Sequence, residues 1–168
     1  MIIRPETPAD GAAIRQVTDS AFAGAAHASG SEGAIVDALR AAGMLTLSLV
    51  AEDAGAVVGH VAFSPVTIDG RDAGWFGLGP VAVAPGRQGS GIGGALIGAG
   101  LARLRQEGAQ GCVVLGDPGY YTRFGFAADP ALTFAEVPPE YFMALRFAGT
   151  APAGPVVYQP AFYMPAGH

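Results

Sequence analysis

A glycine-rich segment directly before a helix-forming run constrains the fold of this chain most strongly. Five glycines fall within the nine residues Gly86-Arg87-Gln88-Gly89-Ser90-Gly91-Ile92-Gly93-Gly94, and the apolar run Ala95-Leu96-Ile97 follows. Glycine adopts positive φ readily and lets another group approach the main chain closely. The N–H groups at a helix N-terminus attract anions. The segment therefore predicts an anion-binding loop, and a turn that only packs a helix closely on a sheet is the alternative.

Three kinds of glycine-rich phosphate loop can be compared with this segment. A Walker A loop is excluded because it needs a lysine, and all nine basic residues of the chain are arginine. A dinucleotide-binding fingerprint fits Gly89, Gly91 and Gly94, and Asp117 stands where a ribose-binding acid would follow. However, several strands precede the loop, and only about 50 residues follow the next strand, too few for the second half of that fold. A loop that binds a pyrophosphate with its backbone N–H groups remains.

Apolar periodicity and turn residues divide the chain into alternating helices and strands. Thr7, Pro8 and Asp10 are typical of a helix start, with Ile14 and Val17 on the apolar face. The other predicted elements are a strand at 2–3, a second helix after Ser29 or Ser31, strands over 45–52, 57–68 and 75–83, a helix from the glycines to Gly108, a strand over 112–115, a short helix over 119–124, and a final hairpin of 141–147 with 156–158.

The order of these elements predicts a single domain over residues 1–168 with an α/β (α+β) fold. Turn signals at Asp53-Ala54-Gly55 and Asp69-Gly70 make the strands from 45 to 83 an antiparallel meander. The strand over 112–115 should run parallel to 75–83, because a helix joins them. Pro80 has no N–H, so a bulge or an unpaired stretch is expected there. The result is a mixed, mainly antiparallel central sheet with helices on both faces.

Three motifs between residues 78 and 126 occur in the order typical of one family. Gln88-Gly89-Ser90-Gly91-Ile92-Gly93 matches the Q/R-x-x-G-x-G/A signature of the GNAT superfamily of N-acetyltransferases. Residues 78–85 resemble the fourth strand of that family, and Tyr121-Thr122-Arg123-Phe124-Gly125-Phe126 resembles its Tyr-x-x-x-Gly-Phe element. Gly116-Asp117-Pro118, followed by Tyr120 and Tyr121, resembles the corresponding segment in a bacterial branch of predicted N-acetyltransferases. The resemblance covers nearly the whole chain.

The resemblance implies that acetyl-CoA lies where the parallel fourth and fifth strands splay apart. Val81 and Val83 would pair with the pantetheine amides, and the Ala82 region would supply an N–H to the thioester oxygen. The pyrophosphate would lie on the glycine loop, whose candidate contacts are Arg87, Gln88, Gly89, Ser90, Gly91, Ile92, Gly93 and Gly94. The acetyl group would pass by direct attack to a primary amine of a small molecule or a protein. A non-catalytic acyl-CoA-binding module is the alternative function.

The resemblance also places the proton donor of the family at Tyr121, four residues before Gly125. A phenol near the sulfur eases the departure of CoA, because a thiol has a pKa of roughly 8.5; a core aromatic is the alternative role. The general base is left open, since residues 75–78 contain no acid where some family members have a glutamate. The candidates are Glu32, His60, Asp117 and a water chain to the backbone, and Asp117 also suits the cap of the short helix that follows it.

Composition restricts the partners of the chain. A net charge of −5 without a basic stripe argues against a nucleic acid. The single Cys112 rules out an intrachain disulfide and a multi-cysteine zinc site, and no metal is expected. Neither a signal peptide nor a membrane-spanning run is recognised, which predicts a cytoplasmic protein. Edge strands near the C-terminus are compatible with a homodimer. The loops that border the acceptor in this family, here around 23–30 and 130–139, carry no readable code for the amine.

Overall fold

The computed structural model describes residues 1–23, 31–149 and 152–163. Residues 24–30, which make up most of the predicted acceptor-bordering loop around 23–30, lie outside the described residues. The strands and helices are β1 Ile2–Pro5, α1 Gly11–Phe22, α2 Glu32–Ala41, β2 Leu47–Asp53, β3 Ala56–Ile68, β4 Arg71–Val83, α3 Ile92–Gln106, β5 Gly111–Leu115, α4 Pro118–Tyr121, β6 Leu132–Thr133, β7 Phe142–Arg146 and β8 Gly154–Val157. Short 3₁₀ turns lie at Pro8–Asp10, Pro85–Arg87, Thr122–Phe124, Pro139–Tyr141 and Pro160–Tyr163.

Six strands lie side by side in the order β1-β2-β3-β4-β5-β7, and β8 joins this sheet at the end of β3 and pairs with β6. β4 and β5 run parallel, and the other neighbours along this order run antiparallel. The predicted meander is confirmed. Its tight turns have φ of 51° and 80° at Ala54 and Gly55, and of 53° and 75° at Asp69 and Gly70, as two-residue hairpin turns of this twist require.

β4 parts from β5 before it ends. Its parallel pairing with β5 stops at Leu78, whereas the strand continues to Val83. On its other edge β4 stays paired with β3, but Gly79 and Pro80 together lie opposite the single residue Ala62. The break in regular pairing expected at Pro80 is thus confirmed as a bulge. Beyond it, one edge of β4 faces a gap instead of a neighbouring strand.

Alternate residues of the sheet face two different layers, as the period of a strand requires. On β2, Leu49 and Ala51 pack in the core beneath α3, whereas Val50 between them packs with Ile14 of α1 and Val36 of α2. The predicted helices on both faces are therefore confirmed. We refer to the two sides of the sheet as the α3 face and the α1–α2 face.

The predicted hairpin of 141–147 with 156–158 is wrong. β7 pairs with β5 over its whole length, and β8 pairs with the end of β3 and with β6. The apolar pattern of a strand shows which side is buried but does not identify its partner. β7 buries Met143 and Ala144 by completing the sheet beside β5, and Tyr158 covers Gly77 on β4, where a Cβ would overlap the tyrosine ring.

Candidate active site

The glycine loop presents backbone N–H groups at the start of α3. Gly89 and Gly91 have φ of 81° and 87°, and a Cβ at either position would meet nothing within 4 Å. Gly91 is the N-cap of α3, and the first helical hydrogen bond runs from the Ala95 N–H to the Gly91 carbonyl oxygen at 3.0 Å. The N–H groups of residues 92–94 precede that bond, so they have no acceptor within the helix. They form a set of donors aimed out of the helix end.

A pocket of about 430 Å³ lies over this helix end. Its lining residues are Val83, Arg87, Gln88, Gly89, Gly91, Ile92, Gly93, Gly94, Tyr120 and Arg123. Seven of the eight residues predicted to contact the pyrophosphate therefore line one pocket. The eighth, Ser90, turns its hydroxyl to the Arg87 carbonyl oxygen. The Tyr120 hydroxyl lies 3.5 Å from the position of a Cβ on Gly93, so α4 forms the wall opposite the loop.

The two arginines of the pocket differ in their partners. Arg87 Nη1 lies 2.6 Å from Asp53 Oδ2, and this hydrogen bond lowers the pKa of the Asp53 carboxyl. The Arg123 guanidinium lies over the Tyr120 ring, 4.5 Å from its centroid, and Nε donates to the Tyr120 carbonyl oxygen at 2.9 Å. Among the described residues, no carboxylate forms an ion pair with Arg123. Sequence reasoning missed Arg123; its spacing of three residues from Tyr120 on a short helix was the available signal.

The free edge of β4 offers backbone groups of two residues to the gap. The Ala84 N–H donates to β3 at 2.9 Å. Because hydrogen bonding alternates along an antiparallel pair, Ala82 also turns its N–H to β3, and Val81 and Val83 turn theirs to the gap. Ala82 itself therefore has no N–H directed into the gap, and the predicted donor to the thioester oxygen is limited to the N–H groups of Val81 and Val83. One acceptor at this edge is already engaged, because the Gln88 side chain donates to the Val83 carbonyl oxygen at 3.1 Å.

Tyr121 ends α4 and packs among aromatic side chains. Its ring centroid lies 5.0 Å from that of Tyr120 and 6.1 Å from that of Phe126, and the ring leaves no room for a Cβ on Gly116. Burial, and next the neighbouring Tyr120, raise the pKa of Tyr121 to about 12. The phenol therefore keeps its proton at neutral pH, which a proton donor requires.

The three side-chain candidates for the general base lie on three different elements of the fold. Asp117 caps α4 as predicted, since its Oδ1 accepts from the Gly119 N–H at 2.9 Å. Glu32 is the first residue of α2. His60 is fully buried on β3, and burial lowers the pKa of its ring to about 4, so the imidazole is neutral at physiological pH.

The remaining sequence expectations concern cysteine, metals and membranes. Cys112 is fully buried in β5, and burial raises the pKa of its thiol, as a packing residue requires. In the part of the chain that the structure describes, no three His, Cys, Asp or Glu side chains are grouped so that they could hold a metal ion. None of the helices in the described ranges is long and apolar enough to cross a membrane.

Comparisons with known proteins agree on one family. A family model described as an acetyltransferase (GNAT) domain matches residues 46–128. The uncharacterized N-acetyltransferase YhbS of Escherichia coli strain K12 is 42% identical over 127 residues, which cover 75% of this chain and 73% of YhbS.

Two solved structures are similar along nearly their whole length. A GNAT family acetyltransferase from Brucella melitensis, in complex with acetyl-CoA, has a TM-score of 0.87 and 57% identity, covering 96% of this chain and 97% of its own. Escherichia coli YhbS in complex with CoA has a TM-score of 0.89 and 35% identity, covering 97% of this chain and 92% of its own.

Proposed function

Because the chain belongs to the GNAT family of N-acetyltransferases, we propose that it transfers an acetyl group from acetyl-CoA to a primary amine. The observation that carries this proposal is the pocket at the start of α3, where the free N–H groups of residues 92–94 meet two arginine side chains. The similarity to the Brucella melitensis protein, whose structure contains acetyl-CoA, supports the same ligand for this chain.

In this proposal the diphosphate of the coenzyme lies on the amides of residues 88–94. The helix N-terminus supplies both the donors and a partial positive charge. Arg123 adds a full positive charge that no carboxylate in the described residues offsets. Arg87 contributes less, because Asp53 already pairs with it. The bare glycines let the phosphate oxygens approach the main chain.

The pantetheine arm runs from this pocket into the gap between β4 and β5. There it adds hydrogen bonds to the N–H groups that Val81 and Val83 turn away from β3 and to the Val81 carbonyl oxygen, since Gln88 already donates to that of Val83. The thioester carbonyl oxygen lies near the same edge, and an N–H of β4 stabilises the negative charge that develops on it during attack. Tyr121 then donates its phenolic proton to the departing sulfur.

The amine reaches the thioester from the α1–α2 face. In this proposal α3 and the phosphates of the coenzyme occupy the α3 face of the gap, which leaves the opposite face for the approach of the amine. The acceptor is a primary amine of a small molecule or of a protein. The single domain, the cytoplasmic location and the homodimer inferred from the sequence stay predictions.

Thermal unfolding with added coenzyme tests the proposal. A ligand at 100 times its Kd stabilises a native protein by about 2.7 kcal/mol, which corresponds to a rise in Tm of roughly 5–10 °C for a domain of this size. Acetyl-CoA should produce such a rise, and NAD should produce none. No rise with acetyl-CoA contradicts the proposal.

Release of CoA thiol then separates an enzyme from a binding module. The protein is mixed with acetyl-CoA and a panel of primary amines that includes small metabolites, aminoglycosides and peptides with free amino groups. Amine-dependent thiol release supports acetyl transfer. Binding of acetyl-CoA without release above the rate in buffer, for every amine, supports the non-catalytic acyl-CoA-binding module instead.

A further inference from the structure

A chain of hydrogen bonds runs from the partly exposed Arg40 to the fully buried His60. His60 Nε2 lies 2.7 Å from the Ser48 hydroxyl oxygen, and this hydroxyl is also hydrogen-bonded to Oε1 of Glu6. Two nitrogens of Arg40 donate to the Glu6 carboxylate at 2.9 and 3.0 Å. The four side chains come from β3, β2, the turn after β1, and α2, and they converge on the α1–α2 face of the sheet.

The partners in this chain determine the tautomer of the imidazole. Although burial opposes it, hydrogen bonds from Arg40 and Ser48 hold the pKa of Glu6 below its usual value, so Glu6 is an acceptor only. The Ser48 hydroxyl must therefore donate to Glu6 and accept from His60. That places the imidazole proton on Nε2 and leaves a bare lone pair on Nδ1.

The lone pair on Nδ1 has no partner. Nδ1 is buried and makes no hydrogen bond to any of the described residues, an arrangement that costs about 1–3 kcal/mol. Nε2 is turned toward Ser48 of β2. His60 is the cross-strand neighbour of Ala82, so its ring lies beside the segment of β4 that borders the gap.

We propose that His60 is the general base of the acetyl transfer, with Nδ1 taking a proton from the attacking amine directly or through one water molecule. This inference rests on the proposed function. Ser48 and Glu6 are positioning residues that keep Nδ1 free of its own proton. The free-energy cost of a buried Nδ1 without a hydrogen bond is explained if Nδ1 receives its hydrogen bond from the substrate amine or from a water molecule bound to it.

The transfer balances with two proton movements. The amine nitrogen forms a bond to the thioester carbon and becomes positively charged, which makes its protons acidic enough for a weak base to remove. His60 takes one of them, and the nearby Glu6 carboxylate stabilises the transient imidazolium. The C–S bond breaks with its electron pair going to sulfur, and Tyr121 gives the sulfur its proton. The proton on His60 returns to the Tyr121 phenolate through solvent, which leaves an amide, CoA and an unchanged protein.

His60→Gln tests the base role. The side-chain amide of Gln can still donate to Ser48, but it has no basic nitrogen at the position of Nδ1. We expect kcat of amine-dependent thiol release to fall by about 100-fold, since positioned proton transfer contributes 10²–10⁴-fold, while KM for acetyl-CoA stays within about twofold. Ser64→Ala is the matched control, because Ser64 is also buried on β3 with an unpartnered oxygen. It should keep its kcat.

Nitrogen chemical shifts of ¹⁵N-histidine-labelled protein test the tautomer without any variant of His60. The chain has three histidines, and His27→Gln and His168→Gln assign the remaining signals to His60. We expect a protonated Nε2 and a bare Nδ1 at pH 7. A proton on Nδ1 overturns the proposal, whether or not His60→Gln folds.

Glu6→Ala tests the positioning role. Oε1 of Glu6 accepts from both Ser48 and Arg40, so the variant removes the acceptor of the Ser48 proton, and the hydroxyl can then donate to His60 Nε2, which moves the imidazole proton to Nδ1. We expect this change in the nitrogen shifts together with a fall in kcat at unchanged KM for acetyl-CoA. An unchanged tautomer and an unchanged kcat contradict the role of Glu6.

These outcomes separate the base from the reaction itself. Wild-type protein that releases no thiol with any amine counts against acetyl transfer and removes the base role with it. Wild-type release combined with an unchanged kcat in His60→Gln overturns only the role of His60.

Discussion

The two sides of the proposed reaction centre are built in opposite ways. On the α3 face the pocket is open, and its donors are backbone N–H groups of the consecutive residues 92–94. On the α1–α2 face His60 is fully buried, and the chain of hydrogen bonds that leads to it through Ser48 is made of side chains from separate elements of the fold. One turn of backbone is enough to form the first side, whereas the second exists only when β1, β2, β3 and α2 are all in place.

The difference follows from what each side has to recognise. A diphosphate is a large anion, and a helix end binds it with donors and a dipole that need no side chains. A single proton of an amine needs one lone pair held in one tautomer, which takes a buried and fully specified set of side chains. The coenzyme side should therefore be sensitive to added bulk or negative charge, and the acceptor side to the loss of single polar atoms.

The largest effect is expected from adding bulk and charge at the helix end. Gly91→Glu places a carboxylate on the amides where the diphosphate lies, at a φ of 87°. We expect the affinity for acetyl-CoA, measured by calorimetry, to fall by at least about 100-fold, or 2.7 kcal/mol. Unchanged affinity would contradict the assignment of the loop.

Gly43→Glu is the matched control for this variant. Gly43 follows α2 with a φ of 71°, and a Cβ there also meets nothing within 4 Å. The two glutamates therefore carry a similar backbone strain, and only one of them faces the coenzyme. Gly43→Glu should lose stability like Gly91→Glu but bind acetyl-CoA like the wild type. Equal losses of affinity in both variants would mean that strain, not the ligand, decides the effect.

Tyr121→Phe tests the point where the two sides meet. The variant keeps the aromatic packing and removes the phenolic proton, so kcat should fall by about 100-fold while the Kd of acetyl-CoA stays unchanged. Tyr120→Phe changes the neighbouring residue in the same way and serves as the control. Tyr120 lines the pocket with its hydroxyl beside Gly93, so Tyr120→Phe should affect coenzyme affinity more than kcat. Equal kcat values for wild type and Tyr121→Phe would remove Tyr121 from the mechanism.

The same contrast explains which parts of the site could be predicted from sequence. The glycine loop is one contiguous segment, and its residues meet in one pocket because they are neighbours along the chain. The bulge at Pro80 was also predictable, since a missing N–H is a local property. Arg123 was not predicted: its spacing from Tyr120 indicated that it could lie near the loop, but its lack of a carboxylate partner among the described residues is visible only in the folded chain.

The chain of hydrogen bonds that ends at His60 could not be predicted from sequence in this way. Glu6, Arg40, Ser48 and His60 are distant in sequence, and they meet only through the pairing of β1, β2 and β3. Each residue alone is compatible with a purely structural role, such as a surface ion pair or a core histidine. The prediction of the final hairpin was wrong for the same reason. β7 pairs with β5, and nothing in the local sequence pattern of β7 identifies that partner strand.

The acceptor side should also give the protein a distinct dependence of stability on pH. Burial, partly offset by Glu6, lowers the pKa of His60 to about 4, whereas an unfolded chain has a value near 6.5. The unfolded state therefore binds more protons below pH 6.5, and stability falls as the pH drops toward 4. From pH 7.5 to 5 this linkage amounts to about 2 kcal/mol. Chemical unfolding of wild type and His60→Gln measures it, because carboxylates such as Glu6 contribute to both proteins. Parallel pH profiles would contradict the neutral, buried imidazole.

The smallest effect separates the two arginines of the coenzyme side. Arg123 has no carboxylate partner in the described residues, so Arg123→Ala removes a charge available to a phosphate and should raise the Kd of acetyl-CoA by about tenfold, or 1.4 kcal/mol. Arg87 is paired with Asp53 at 2.6 Å, and an exposed ion pair of this kind contributes little free energy, so Arg87→Ala should raise Kd by about twofold at most.

Calorimetry with CoA and with 3′-dephospho-CoA identifies the phosphate that Arg123 binds. The effect of Arg123→Ala disappears for 3′-dephospho-CoA if the 3′-phosphate is the partner, and it persists if the diphosphate is the partner. A larger loss of coenzyme affinity in Arg87→Ala than in Arg123→Ala would show that the ligand draws Arg87 away from Asp53. Binding on the α3 face would then depend on a rearrangement of side chains, whereas the α1–α2 face depends on a fixed network.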